Sequence, residues 1–318
     1  MSAKMKTKLV AIAKDEAAYL PEWIFHHLHF GFDEIEIYIN FTTDNSLALL
    51  NKIKRNHPIK FKNVEYLLEP ECDKYDGLIS QRYLEYNKFQ SRAYAELLFN
   101  ARKDGFSHVM FLDIDELWTP SCFKAKIEEV LTDLGDPDIA YFRWKNKVLE
   151  NEEFGRPFQQ DTLVVGPNHG KCIVKTNIEI ELISSHGVSY LGQEKLKKAD
   201  LRKRNIAFVL HRFQRSLIEY ISLLGRGDPT FAGKPGLKFN RGGYIDASDG
   251  LPIYFDPALI TSYDAGYEAF IRENKISECI LEAKKFVRSR HQSVLNYAKE
   301  NQACDRKVQR LFRGTNAI

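Results

Sequence analysis

FLDIDEL, residues 111–117, follows Val109 and Met110, so that four apolar residues run straight into Asp113, Ile114, Asp115 and Glu116. A short apolar run ended by acids reads as a strand buried on both faces. It exposes three carboxylates at one place, which is costly unless a cation or a charged ligand sits there. The chain before it repeats the pattern. Leu9 to Ala13 is a continuously apolar strand, and Glu16 to Phe30 carries helical spacing with Pro21 in the first turn and Gly31 at the end. Glu34 to Asn40 alternates as a second strand. A helix follows through Leu47, Leu50 and Ile53, capped by Asp44 or Asn45. Val64 to Leu68 is expected as a third strand and Tyr83 to Ala101 as a helix.

Strands alternating with helices predict βαβ units and a parallel sheet, an α/β fold. Ligands of such sheets sit beyond the carboxyl ends of the strands. Lys14-Asp15-Glu16, then Asn40 with Asp44 and Ser46, then Asp113-Ile-Asp115-Glu116 should therefore converge on one crevice. Asp113 and Asp115, two residues apart in a turn, suit Mg²⁺ or Mn²⁺, which keep positions open for water and substrate phosphate. An acidic helix N-cap is the plainer alternative.

The second half predicts a helix over 123–134, a strand over 139–144, and a hairpin of 162–165 with 172–175. A strand over 206–210 ends at His211, and a helix over 216–224 closes at Gly225. His211 is placed to complete a metal site with Asp115 and a diphosphate. Lys171, Arg215, Arg226, Lys234, Lys238 and Arg241 lie in or beside glycine-rich segments and fit a lid over phosphates. His26, His27 and His29 read better as filler on a partly buried helix than as a metal site. His169 and His186 flank strands. From 265 onward the chain reads as helices.

The chain has 318 residues, 44% of them hydrophobic, enough for a large core, and a net charge of only +3, which argues against a general polyanion binder and against DNA. Residues 280–318 hold nine Lys/Arg against three acids. That basic stretch fits a packed helix with a charged face, an anionic membrane surface, or RNA. Five scattered cysteines without a CxxC argue for free thiols in a reducing compartment. The short apolar run near the N-terminus is no signal peptide, so a cytoplasmic protein is expected, held at most peripherally on a membrane.

Lys14-Asp-Glu16 with Tyr19-Leu-Pro-Glu-Trp23, His27 and Gly31-Phe32 resembles the opening signature of family-2-like and family-92 glycosyltransferases. Ile37 to Ser46, Gln90, Phe111 to Leu117, His169 to Lys175, His186, and His211 through Arg226-Gly227 are similar to later elements of that group, in order. Asp15 stands where Asn is usual, Leu117 where Phe is, and Arg212-Phe213 where Tyr is expected. The resemblance implies a GT-A fold over residues 1–264, with 265–318 as a basic helical extension. It implies a nucleotide-sugar donor, a UDP-sugar first, a glycan or glycolipid acceptor in bacterial surface glycan synthesis, and Mn²⁺ or Mg²⁺ held by Asp113, Asp115 and His211. Lys14, Glu16, Asn40, Asp44, Gln90, Asp113, Lys171 and Arg226 would line the donor site. A base is needed if transfer inverts the sugar; Glu194 and Glu116 are named for it, with Glu152 and Glu153 as further carboxylates. The rival readings are a Mg²⁺-dependent phosphohydrolase with Asp113 as nucleophile, where Leu117 breaks the usual motif, and a non-enzymatic RNA- or membrane-binding protein.

Overall fold

The computed structural model describes residues 5–69, 88–166, 169–184, 187–190, 196–200, 205–227, 237–244, 250–301 and 306–317. Strand β1 (Thr7–Ala13) leads to helix α1 (Leu20–His29), β2 (Glu34–Ile39), α2 (Ser46–Ile53) and β3 (Ile59–Asn63). Helix α3 (Lys88–Lys103), β4 (His108–Phe111), β5 (Glu116–Pro120) and α4 (Ile127–Asp133) follow. Then come β6 (Ile139–Lys147), β7 (Asp161–Val165), β8 (Gly170–Lys175), β9 (Ile180–Ile183), β10 (Val188–Tyr190), β11 (Lys198–Asp200) and β12 (Ala207–His211). The chain ends through α5 (Leu217–Leu224), β13 (Leu251–Tyr254), α6 (Pro257–Asn274), α7 (Ser277–Asn301) and α8 (Arg306–Leu311).

The main sheet has the order β13-β7-β6-β8-β4-β1-β2-β3. Strands β4, β1, β2 and β3 are parallel, as the alternation of strands and helices predicts. Strand order reverses at β1, with β2 on one side and β4 on the other, and crevices form at such switch points. The other half is mixed rather than parallel: β8 runs antiparallel to β4 and β6, and β7 antiparallel to β6 and β13. No crossover helix separates β6, β7 and β8, so the chain returns by reversal. The expected hairpin of 162–165 with 172–175 does not form, because β6 lies between β7 and β8.

Other boundaries move for local reasons. The third strand is Ile59–Asn63, and residues 65–68 form a 3₁₀ turn instead. Helix α4 starts at 127 because Phe123 sits at φ 53°. Strand β13, which pairs with β7, has no counterpart in the sequence reading. Leu9, Ala11, Trp23, Ile24, Ile37, Leu50 and Trp118 pack one face of the sheet. Val10, Tyr38, Tyr94, Leu97 and Val109 pack the other against α3. Helix α6 joins the first core, where Tyr263 and Phe270 close on Phe25 at 5.1 and 5.7 Å. The expected boundary between 264 and 265 therefore falls inside a continuous packed helix. Among the described residues, no helix is long and apolar enough to cross a membrane.

Candidate active site

The turn after β4 is built by α1. Trp23 Nε1 donates to the carbonyls of Asp113 (3.1 Å) and Glu116 (2.8 Å), and Glu116 N–H donates to Asp113 O (3.0 Å). His27 fixes the next residues: its Nδ1–H donates to Trp23 O (2.8 Å) and its Nε2 accepts from Trp118 N–H (3.1 Å). His26 Nε2–H donates to Trp118 O (2.8 Å), and Tyr263 O–H donates to Nδ1 (3.1 Å). Both imidazoles are fully buried with both nitrogens used. They are scaffolding, as the helical reading expects.

The three acids of the turn part company. Asp113 faces Lys171, which β8 places 3.0 Å from its Oδ2. Glu116 is fully enclosed behind it: Oε2 accepts from Asp113 N–H (2.8 Å) and lies 3.2 Å from Lys171 Nζ. Its Oε1 is buried without a hydrogen-bond partner among the described residues. Burial pushes Glu116 up to about 7, against the pull of Lys171. Burial opposes the charge of Lys171 too, yet Asp113 and Glu116 hold its pKa well above the usual lysine value. Gln90, in the first turn of α3, donates to Tyr94 O–H (3.0 Å), whose ring packs on Phe111 at 4.8 Å.

Asp115 turns the other way, toward β12. Strands β5 and β12 pair antiparallel with His211 opposite Glu116, and the ladder is continued by Arg212 N–H to Asp115 O (2.8 Å). His211 Nε2 then lies 3.7 Å from Asp115 Oδ2. Its Nδ1–H donates to Asn146 Oδ1 (3.1 Å), and its ring leans on Trp144 at 4.6 Å. That hydrogen bond fixes the tautomer and leaves Nε2 aimed at the carboxylate, bearing either a proton or a lone pair for a cation. Burial alone would raise Asp115, but the His211 contact, with Arg215 and Arg241, holds it well below the usual range.

The ends of β1 and β2 are tied together. Asn40 is fully buried and its N–H donates to Ala13 O (3.1 Å). Asp44 is a clamp: Oδ2 accepts from Ala17 N–H (2.8 Å), and Oδ1 from Ser46 N–H (2.9 Å) and Oγ (2.5 Å). It holds α2 by its first turn, one residue before the cap position. Lys14 follows β1 on the same rim. Glu16 is bonded by Arg226 and lies 3.5 Å from Arg215. Arg215 stacks on Tyr19 at 3.4 Å, and both line a cavity of about 190 Å³ that Glu22, Arg156, Arg212 and Tyr267 also line. Asp15 and Arg215 both have positive φ, 51° and 59°, a strained backbone state for non-glycine residues that clusters at functional sites.

Around Asp15, Glu16 and Asp115 the crevice gathers Arg215, Arg226, Arg241 (3.9 Å from Asp115) and Arg290 (3.3 Å from Asp15). Lys238 joins them; burial, with Arg226 and Arg241 close by, pushes it down to about 7. Cations thus outnumber the carboxylates they face. Arg290 was read only as tail charge. The signal that finds it is helical register: it shares the inward face of α7 with Ala283, Val287 and Val294. Glu194, His186 and Lys234 lie outside the described residues. Glu152 is exposed, and Glu153 pairs with Arg288 at 2.9 Å on the surface.

The model of glycosyltransferase family 92 matches residues 11–211, which contain Asp113, Asp115, Lys171 and His211 but neither the Arg/Lys group after β12 nor Tyr263. The chain belongs to glycosyltransferase family 92. Its fold is a mixed α/β sheet flanked by helices. Among solved structures, residues 1–349 of TarS from S. aureus in complex with UDP-GlcNAc are 12% identical, with 93% of this chain and 92% of that chain covered and a TM-score of 0.36. The galactosyltransferase LgtC, bound to donor and acceptor sugar analogs, is 16% identical, with 53% and 58% covered and a TM-score of 0.27. No curated protein matches the chain. The family makes the chain a glycosyltransferase and sets aside the phosphohydrolase and non-enzymatic readings.

Proposed function

We propose that this family-92 enzyme transfers a sugar from a UDP-sugar to a glycan or glycolipid acceptor, with a divalent cation in the strand-end crevice. The observation that carries the reading is the Asp115–His211 pair, facing each other at 3.7 Å beside an excess of Arg and Lys. The donor set fits Mn²⁺ or Mg²⁺: one carboxylate and one imidazole, with the other positions open to water and phosphate oxygens. Among the described residues no group of three His, Cys, Asp or Glu converges, so the diphosphate would complete the site. Asp113, tied to Lys171, sits on its rim rather than at its centre. When bound, the cation neutralises charge on the departing diphosphate.

The chain's own residues do the rest. Arg215, Arg226, Lys238 and Arg241 exchange intramolecular carboxylates for diphosphate oxygens, which stabilises the leaving group. Lys14, Glu16, Asn40, Asp44 and Gln90 border the nucleoside. Glu116 is enclosed and cannot reach an acceptor hydroxyl; in place of the base role it holds Lys171 and the Asp113 amide. Glu194 keeps the base role assigned from sequence.

The anionic-surface contact belongs to 306–313 rather than to all of 280–318. The solvent face of α7 balances Lys285, Arg288 and Lys299 against Glu278, Glu282 and Glu300, whereas Arg306, Lys307, Arg310 and Arg313 are all exposed with no acid among 306–317. A thermal-shift panel of UDP-, GDP- and CMP-sugars with and without Mn²⁺ tests the donor site. A Tm rise with a UDP-sugar that needs Mn²⁺ is expected. No rise with any nucleotide-sugar would sink the proposal.

A further inference from the structure

Resting on that donor site, we infer that Arg290, from the C-terminal helix α7, is a positioning residue of the nucleotide pocket that acts through Asp15. Helix α7 approaches the crevice because α5 ends at Gly225. A Cβ there would lie 2.4 Å from Val294 Cγ2 and 3.2 Å from Arg290 Cγ, so only glycine admits the helix this closely. Arg290 is thereby carried inward, with its side chain 12% exposed. Nε donates to Ser222 Oγ at 3.0 Å, which fixes the guanidinium on α5, and Nη1 lies 3.3 Å from Asp15 Oδ2.

Asp15 spends its other oxygen on the loop after β2. Oδ1 accepts from Thr43 N–H (2.6 Å), Thr43 Oγ1 (3.1 Å) and Asp44 N–H (3.3 Å), and the Asp15 N–H donates to Thr42 Oγ1 (2.9 Å). That loop and Asn40 form the nucleoside side of the crevice. One carboxylate thus joins α7 to the 42–44 turn, and it does so at a positive φ, where the backbone is held by its surroundings. Arg290 lies outside the family match of 11–211. Asp15 stands where the resembled signature has Asn. An amide keeps the Oδ1 acceptor but loses the charge that Arg290 pairs with. Arginine and aspartate therefore form one unit in this chain, which orients the nucleotide loop from outside the family's shared segment.

The test is a double-mutant cycle on the full chain, reading UDP and GDP affinity by calorimetry with Mn²⁺ present. Arg290→Gln is expected to weaken the nucleotide bound by wild type about tenfold, as for loss of one charge-assisted hydrogen bond. Arg290→Lys should recover most of that, because an ammonium still pairs with Asp15. Asp15→Asn should weaken binding by a similar factor, and the double variant should be no weaker than either alone. Wild-type binding left unchanged by Arg290→Gln, or effects of the two substitutions that simply multiply, overturns the inference alone. Wild-type protein that binds neither nucleotide overturns the donor site and the inference with it. If Arg290→Gln does not fold, Asp15→Asn decides, since it keeps the Oδ1 acceptor that holds the 43–44 turn and loses the oxygen and charge that face Arg290; binding equal to wild type then overturns the inference.

Discussion

Replacing Lys171 by methionine removes the one cation between Asp113 and Glu116 while keeping the length and apolar stem of the side chain. The two carboxylates respond differently. Asp113 is 41% exposed and rehydrates at small cost. Glu116 has no exposed surface and cannot. Removing one partner of a buried pair typically costs about 3–5 kcal/mol. Here the low end applies, because Glu116 already stands near 7 and escapes by taking up a proton. We expect about 3 kcal/mol. With about 2.1 cal/mol/K of unfolding entropy per residue, a chain of 318 residues loses about 1.5 °C per kcal/mol, so Tm should fall by about 4–5 °C in a calorimetric scan at pH 7. Because the folded pKa of Lys171 is raised, this stability is fully present below about pH 10.4, the unfolded lysine value, and is lost only above it, as pH rises through the folded pKa. Lys171 itself stays charged across neutral pH, but Glu116 near 7 titrates there, so the loss should be smaller below about pH 6 and grow as pH rises to 8. Lys171→Met/Glu116→Gln should recover part of it, since a neutral amide needs no counter-ion. A drop under about 1 °C, or a double variant no more stable than the single one, would refute the reasoning.

Gly170→Ala puts a Cβ 1.9 Å from Phe142 O, so β8 must leave β6 and draw Lys171 off the acids; we expect a loss of about 3 kcal/mol from two or three ladder bonds, read as a lowered urea midpoint. His26 is held well below, and His27 down to about 3, by burial in neutral form. The unfolded chain therefore binds more protons below about pH 6.5, and stability should fall by about 2.5 kcal/mol between pH 7 and 5.5 from the two together. His26→Gln should halve that slope in urea titrations; an unchanged slope counts against it. Lys238 near 7 gains charge when an anion binds, so UDP affinity should weaken as pH rises from 6 to 8.5, and Lys238→Arg should flatten the profile. Asp115→Asn should remove the Mn²⁺-dependent part of any nucleotide-induced Tm shift while leaving the Tm of the free protein within about 2 °C, roughly 1 kcal/mol for an exchange at the crevice.

The parallel half of the fold was legible because β1 and β4 read as unbroken apolar runs buried on both faces, and β2 as a strict alternation between two helical segments. Its edge was not. Ile59-Lys-Phe-Lys-Asn63 carries lysines outward, as an edge strand should, and the more apolar Val64 to Leu68 outbid it for the same role. The acids of the strand-end turn were found by position alone, but their division of labour was not. Nothing local separates Asp113, Asp115 and Glu116; the difference comes from Lys171 and His211, which lie far along the chain. Strand β5 hid behind its terminal Pro120, and the antiparallel half lacked the helical punctuation that marks βαβ units. Arg226 and Arg241 were visible only as cations near glycines, and their partners needed the folded crevice.

Strand β12 pairs with β5 on one side and β6 on the other. Side chains alternate along it, so a one-residue slip would send His211 to the opposite face and Leu210 toward Asp115. Between residues 121 and 206 the connections outside β6, which also keeps register with β12, and outside β8, which pairs with β6, are free to lengthen or shorten without disturbing that juxtaposition. Within 113–120 and 207–211 the chain is not, because an insertion there breaks the pair even if the protein still folds. Variation in length among homologous chains should therefore pile up between the two segments and stop sharply at their borders, as it would around a zip whose teeth must keep count.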